Sequence, residues 1–339
     1  MDSKIALSIC IATHNRGTFI GATLDSIISQ ANEKIEIVIV DGASTDNTEE
    51  IVKLYQKKFP QLRYVHLSVK GGVDQDYSRA VELAQGKYCW LFTDDDILKA
   101  GAIQAVMTAM QHDYGLILVN AEIRNINLSE VLKERYLNFV SNRAYQKEYF
   151  EQLFMDVADY LSFIGCVVIK KSLWNAREKK AYFGTAFVHV GVIFQSPISD
   201  ETMVLADPLI SIRYGNASWT DNSFEISLFK WPDLIWSFSG FSESARRQVH
   251  RREPWRSVKT LLIYRARGLY SLKEYNKYLK PRLVNPIARF VLRFVAQLPG
   301  FFLNFGFYLY FSIFRFHYSH SETLLAELEN SVYFYKKYL

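Results

Sequence analysis

Three consecutive carboxylates, Asp94, Asp95 and Asp96, close the run YCWLFTDDD that begins at Tyr88. Three like charges in a row are tolerated when something positive neutralises them. A hard divalent cation is the natural candidate, since Mg²⁺ takes one or two carboxylates and completes its coordination with water and substrate phosphates. The plainer alternative is an acidic turn capping a helix that begins near Ala100. Other polar groups gather in short stretches of the same kind: Thr13, His14, Asn15 and Arg16; Asp41, Gly42, Ala43 and Ser44; Lys70, Gly71, Gly72, Val73 and Asp74.

Each stretch follows an apolar run that must position it. Ile5 to Ala12, Ile35 to Val40, Tyr64 to Leu67, Tyr88 to Phe92 and Leu116 to Val119 read as strands. Between them Phe19 to Gln30, Asn47 to Lys58, Asp74 to Ala84 and Ala100 to Gln111 space their apolar residues as helices do. The alternation predicts an α/β fold with a mostly parallel sheet covered by helices. Ligands in such folds bind beyond the carboxyl ends of the strands, where these four stretches lie. Each also has a structural alternative: Asp46 with Glu49 can form a capping box, and Gly71-Gly72 can simply turn the chain.

Further on the pattern blurs. The spacing predicts a mostly helical excursion from Ile123 to Asp159, a strand from Ile164 to Ile169, a short helix capped by Ser172, and a last strand from Leu209 to Tyr214. The composition shifts at Thr220 to Ser223, which sets a boundary between a domain over 1–220 and a helical region over 221–339. Phe224 to Phe238 and Pro254 to Leu279 read as helices.

With 339 residues, 49% hydrophobic and 22% charged, the chain is long enough for a large domain and a smaller one. Its net charge of +5 is modest, and its basic residues cluster beside the apolar tail rather than in a groove interleaved with aromatics, so nucleic acid is not an expected partner. The 24 Phe and 21 Tyr concentrate toward the C-terminal half and call for an explanation. Cys10, Cys89 and Cys166 each sit inside an apolar run, which points to buried reduced thiols rather than a disulfide or zinc site. The start MDSKIALSICIATHN carries Asp2 and Lys4 before a strand-like run and lacks signal-peptide architecture, so the chemistry is expected on the cytoplasmic side.

From Phe294 to Phe314 no residue is charged, nominally long enough for a bilayer crossing that needs about 20 residues. Pro299, Gly300, Asn304 and Gly306 interrupt it, and Arg282, Arg289, Arg293 and Arg315 flank it. The expectation is a membrane-associating segment at about 286–316, interfacial or re-entrant and held to anionic lipid by arginines. The alternative is a buried helical hairpin.

The stretches IATHNRGTFIGATLDSI, IEIVIVDGASTDNTEEIV and GGVDQDYSRAVELAQGKYCWLFTDDD together resemble the inverting family 2 glycosyltransferases with the GT-A nucleotide-diphospho-sugar fold. Later segments, FGTAFVHVGVIFQSP, PLISIRYGNASW and REPWRSVKTLLIYRARG, are similar to the abequosyltransferase-like branch that builds bacterial O-antigen. The resemblance implies transfer of a sugar, a deoxy or dideoxyhexose in that branch, from a nucleoside-diphosphate donor to a lipid-linked (polyprenyl-diphosphate) saccharide. It places the work at the cytoplasmic face of the bacterial inner membrane with Mg²⁺ or Mn²⁺ as cofactor. It implies a donor site drawn from Thr13, Asn15, Arg16, Asp41, Ser44, Gly72, Asp74, Arg79 and Asp94. Thr13 would border the base, Asp41 would accept hydrogen bonds from base or ribose, and Arg79 would face sugar or diphosphate. Asp95 takes the metal-binding place with Asp96 beside it, while Thr93 stands where the family's first acid is usual.

The family commonly carries Glu-Asp at a later helix start, where this sequence has Val188, His189 and Val190. A histidine titrating near 6.5 suits removal of the acceptor's proton, so His189 is the candidate base, with Asp95 as its catalytic companion at the metal. A packed core histidine and an extra metal ligand are the other readings of His189; Asp200, Glu201 and Asp159 are the acidic alternatives. Competing functions are a sugar-nucleotide pyrophosphorylase, disfavoured because THNR is not its glycine-rich loop, and a membrane-surface nucleotide binder without catalysis. A dehydrogenase is disfavoured because no GxGxxG follows a strand.

Overall fold

The computed structural model describes residues 5–216, 222–314 and 321–335. Asp2, Lys4, Thr220, Asp221 and Arg315, which the sequence reading used, lie outside the described residues. The chain gathers into two compact units. One takes the chain through Arg124, then Glu134–Arg213 and Phe238–Val249; the other takes Asn125–Lys133, Tyr214–Ser237 and the chain from His250.

The first unit is built on strands β1 (Leu7–Thr13), β2 (Ile35–Asp41), β3 (Leu62–His66), β4 (Tyr88–Phe92), β5 (Ile97–Leu98) and β6 (Leu116–Arg124). After β7 (Val131–Lys133), which belongs to the second unit, come β8 (Arg143–Tyr145), β9 (Val167–Lys170) and β10 (Thr202–Arg213). Across the sheet they run β3-β2-β1-β4-β9-β6-β10-β5, with β8 on β10. Pairing is parallel in β3-β2-β1-β4 and in β6-β10, and antiparallel where β9 sits between β4 and β6. The carboxyl ends of β1, β2, β3, β4, β6 and β10 therefore share one edge, together with the start of β9. β1, β2 and β4 are apolar along nearly their whole length because both faces are covered, as parallel strands require. Cys10, Cys89 and Cys166 are free and buried.

Helices α1 (Gly17–Ile28), α2 (Thr48–Lys58), α3 (Val73–Leu83) and α4 (Ala102–Met110) stand within a few residues of the expected spans. The excursion from Ile123 to Asp159 is not mostly helical. β6 continues to Arg124, β8 pairs with β10, and only α5 (Phe150–Val157) forms a regular helix. Within this extended strand the Asn120 side chain amide donates to the carbonyls of Leu137 (2.7 Å) and Ala206 (2.8 Å), tying β6 to the segment before β8 and to β10. The last strand starts earlier than Leu209, at Thr202, and its register slips between Leu205 and Ile210 around Pro208, which has no N–H for the ladder. α6 (Lys171–Asn175) and α7 (Val188–Phe194) complete this unit's middle; Ser172 lies inside α6 rather than capping it.

In the second unit α8 (Ser223–Glu225) runs through a wider turn into α9 (Trp231–Ser237), and α10 (Glu243–Val249) returns to the first unit. The helix expected over Pro254 to Leu279 is broken: α11 (Val258–Ala266) stops at Gly268, whose φ of +83° ends it, and α12 (Leu272–Glu274) restarts under a Ser271/Glu274 capping box. Part of the aromatic excess forms this unit's core, where Phe224 stacks on Tyr270 at 5.3 Å and Phe229 on Trp255 at 6.2 Å. α13 (Pro286–Gln297) and α14 (Gly300–Phe314) meet at 84°, because Pro299 holds the preceding Leu298 extended. No single helix among the described residues is long and apolar enough to cross a membrane. One side of each is core: Leu292, Val295 and Ala296 on α13, and Asn304 on α14, whose amide donates to the carbonyls of Ala266 and Leu328. The opposite sides stay exposed, with Ile287 and Phe290 each at 72%. α15 (Ser321–Asn330) packs on α14.

Candidate active site

The loops after β1 and β2 are stitched together by side chains. Asn15 sits at φ +55°, a left-handed conformation that asparagine tolerates, and its Oδ1 accepts the N–H groups of Thr45 (2.7 Å) and Asp46 (3.3 Å). Ser44 Oγ accepts the Asn15 N–H at 2.8 Å, and Thr48 Oγ1 accepts that of Arg16 at 2.8 Å. Asp46 does not form the expected box with Glu49; its two oxygens take the N–H groups of Thr48 and Gly17, while Glu49 pairs with Lys53. Asn15 and Ser44 therefore set the shape of the site's wall.

That wall aims Arg16 at the aspartates. Its guanidinium lies 3.4 Å from Asp94 Oδ1 and 3.4 Å from Asp95 Oδ2. The second cation at this edge is Arg213, at the end of β10, whose Nε donates to the Asp95 carbonyl at 2.9 Å. Both guanidinium groups lie on the ring of Phe19, at 5.7 and 5.2 Å. Asp96 is committed to structure: one oxygen takes the Thr93 hydroxyl at 2.5 Å, the other the Arg213 N–H at 2.7 Å. The turn does not cap a helix, since β5 intervenes before α4, so the plainer alternative for the acidic run is set aside.

Burial, then the charge of Asp95, pushes the Asp94 carboxyl up to about 7 against the pull of Arg16. An added positive charge at Asp94 and Asp95 is thus electrostatically favoured, and their Arg16 contacts are longer than the 2.7 to 2.9 Å typical of a tight ionic hydrogen bond. Among the described residues no group of three or more His, Cys, Asp or Glu forms a ready cage. The pair Asp94 and Asp95 suits a Mg²⁺-type ion, which takes one or two carboxylates and leaves its other positions to water and substrate oxygens. Asp96, expected as a ligand beside Asp95, has its oxygens engaged elsewhere.

The remaining expected residues divide. Thr13 is buried at the end of β1. Asp41 is fully buried, with one oxygen on the Tyr64 hydroxyl (2.6 Å) and the other on the Ser44 N–H (2.7 Å). Gly72 adopts φ +107° to start α3. Asp74, expected at the donor site, has its carboxylate engaged by the N–H groups of Gly184, Ala186 and Val188. Arg79 is not brought to the cluster, because the register of α3 turns it outward to pair with exposed Glu82 at 3.3 Å. His189 is 1% exposed and its Nε2 donates to the Leu161 carbonyl at 2.7 Å, which leaves Nδ1 as the unprotonated nitrogen, buried with no hydrogen-bond partner among the described residues. Burial lowers its pKa to about 4. A general base must approach the hydroxyl it deprotonates to about 2.6 to 3.2 Å, and the packed-core alternative accounts for this placement of His189. Asp200 pairs with Lys170 at 2.6 Å, and it and Glu201 precede β10, at the opposite sheet edge from Asp94. Asp159 is exposed on the segment that leads into β9, at the same edge as the aspartates.

Sequence reasoning did not single out Arg213, Phe19 or Asp76. Arg213 was legible as a cation at the end of the last strand; Phe19, one residue before the buried Ile20 of α1, carried no separate signal.

Residues 8–168 match glycosyl transferase family 2. The chain is 31% identical over 229 residues to abequosyltransferase RfbV of Salmonella typhimurium, a match covering 63% of this chain and 68% of that protein. Two solved structures are similar in fold. Staphylococcus aureus TarS 1-349 in complex with UDP has a TM-score of 0.55 and 16% identity, over 98% of this chain and 92% of that one. The mannosyltransferase PcManGT of Pyrobaculum calidifontis, in complex with GDP-Man and Mn²⁺, has a TM-score of 0.52 and 16% identity, over 97% and 88%. The chain has the α/β fold of GT-A enzymes and belongs to glycosyl transferase family 2.

Proposed function

We propose that this glycosyltransferase moves a sugar from a nucleoside diphosphate to a lipid-linked saccharide in surface-polysaccharide synthesis, as its similarity to an abequosyltransferase supports. The observation that carries the reading is the pairing of Arg16 with Asp94 and Asp95 where the strand ends converge. Asp94 and Asp95 would hold a divalent cation, which supplies charge neutralisation to the departing diphosphate. Arg16 and Arg213 add positive charge at the same place, and the stitched loops hold them there without reorganisation. The acceptor hydroxyl attacks the anomeric carbon as the bond to the diphosphate oxygen breaks, with inversion, and its proton passes to a carboxylate. Asp159 takes that role in this reading, being the nominated acid that is exposed at the correct edge.

The exposed sides of α13 and α14 support an acceptor held at a membrane. Phe290, Phe294, Phe302 and Ile313 face outward, and Arg282, Arg289 and Arg293 are exposed beside them, a combination suited to an anionic bilayer surface. We place the protein peripherally at the cytoplasmic face of the inner membrane, with about 286–316, inside the helical region over 221–339, as the membrane-associating segment. The test is a thermal-shift series with UDP, GDP, CDP and dTDP, each with Mg²⁺ or Mn²⁺. A cation-dependent rise with one nucleotide is expected, and no rise with any of them would overturn the donor assignment.

A further inference from the structure

The carboxylates at the ends of β2, β3 and β4 are nearly all occupied. Asp41 holds Tyr64 and Ser44, Asp74 holds three backbone N–H groups, and Asp96 holds Thr93 and Arg213. Asp76, in the first turn of α3, differs. It is 5% exposed, and no side chain among the described residues donates a hydrogen bond to its carboxylate; the Gly72 N–H lies close to it.

Two glycines make room for it. A Cβ at Gly42, after β2, would stand 2.9 Å from Asp76 Oδ2, and one at Gly71, after β3, would stand 2.9 Å from Oδ1. A side chain at either position would displace the carboxylate, which lies against both glycines in the seam between the two loops. An ionised carboxylate accepts hydrogen bonds and donates none. Burying one with a single backbone N–H beside it is costly, so such a site is matched to something that arrives with further N–H or O–H groups. Consistent with that, burial and the charge of Asp41 outweigh Lys70 and the Gly72 N–H and raise its pKa to about 6.

We propose that Asp76 is a nucleoside-binding acid of the donor pocket, accepting hydrogen bonds from the hydroxyl or amino groups of the bound nucleoside. The inference rests on the reading that the donor is a nucleoside-diphosphate sugar. It assigns to Asp76 the ligand-facing part for which Asp41, with both oxygens already engaged, is less free.

Calorimetric titration of the full chain with UDP, CDP, GDP and dTDP in the presence of Mn²⁺, and with dUDP, dCDP and dGDP, tests it. Asp76→Asn keeps the shape and removes the charge; Asp76→Ala removes the acceptor. Both are expected to bind the preferred nucleotide at least about tenfold more weakly, with a melting temperature without nucleotide equal to or above wild type, because a buried and only partly compensated charge has gone. Loss confined to the ribonucleotides assigns the contact to the ribose 2′-hydroxyl; equal loss on ribo and deoxy forms assigns it to the base or the 3′-hydroxyl. Wild-type affinity in Asp76→Ala, within about threefold, overturns the proposal while leaving the donor reading intact. If wild type binds none of these nucleotides, the donor reading itself falls and this inference with it.

Discussion

The carboxylate of Asp74 accepts the backbone N–H of Val188 at 2.9 Å, across more than a hundred residues of sequence, and its other oxygen takes those of Gly184 (2.8 Å) and Ala186 (2.9 Å). The segment it holds contains two left-handed residues, Gly184 and the non-glycine Ala186. Asp74 is thus a latch between the start of α3 and the start of α7. Because hydrogen bonds to charged groups contribute roughly 1.5 to 3 kcal/mol each and are not additive, Asp74→Ala is expected to cost about 3 to 5 kcal/mol in denaturant unfolding. Asp74→Asn, which keeps one acceptor oxygen, should lose less. Equal stability of Asp74→Ala and wild type would refute the latch.

Asp95→Ala should leave the fold intact, since Arg16 keeps Asp94 as a partner and the mutual repulsion of the two acids is relieved. Turnover is expected to fall by about 10²-fold or more, the range seen when one preorganised electrostatic group is removed. Steady-state transfer rates with and without Mn²⁺ measure this. Retained activity with the same cation dependence would remove Asp95 from the site.

His189 makes stability depend on acidity. Its folded pKa is lowered to about 4 by burial, whereas the unfolded chain takes up the proton near the ordinary value of about 6.5. Between those values the unfolded state binds more protons, so this contribution is fully present above about pH 6.5 and is lost as pH falls toward 4, by about 3 kcal/mol in all. His189→Gln should flatten unfolding free energy across that window; an unchanged slope would contradict the burial.

The proton-accepting role separates kinetically from that effect. His189→Gln is expected to lower kcat less than about threefold, and Asp159→Asn by about 10²-fold, since general-base catalysis contributes about 10² to 10⁴. The opposite ranking would return the base to His189 and require α7 to open during turnover.

The outward aromatics of α13 and α14 are testable without touching the core. Truncation near Pro281 would remove Leu292, Val295 and Ala296 from the aromatic core of their unit, so surface substitution is the cleaner experiment. Burying a Phe side chain is worth roughly 1.5 to 3 kcal/mol. Replacing Phe290, Phe294 and Phe302 by Ser should therefore weaken co-sedimentation with anionic liposomes by at least about 100-fold at an unchanged melting temperature. Equal pelleting of variant and wild type would show that the face serves something else.

Much of the first unit was legible because its signals are local. A buried strand must be apolar and a helix must repeat its apolar face, so Tyr88–Phe92 and the helices after β1, β2 and β3 emerge from spacing alone, and the polar residues after each strand mark the ligand edge. What each polar residue does there was decided by tertiary structure. Asp41, Asp74, Asp76 and Asp96 are chemically identical in sequence, yet three are consumed by partners 3 to 117 residues away and one, Asp76, has no side chain donor among the described residues. Arg79 was turned outward by a helical register that spacing cannot orient, and His189 was buried by packing of elements far apart in the chain. Sequence determined where charge would collect; only the fold decided which charges would already be neutralised when a substrate arrives, because neutralisation depends on distances between segments that the chain order leaves open.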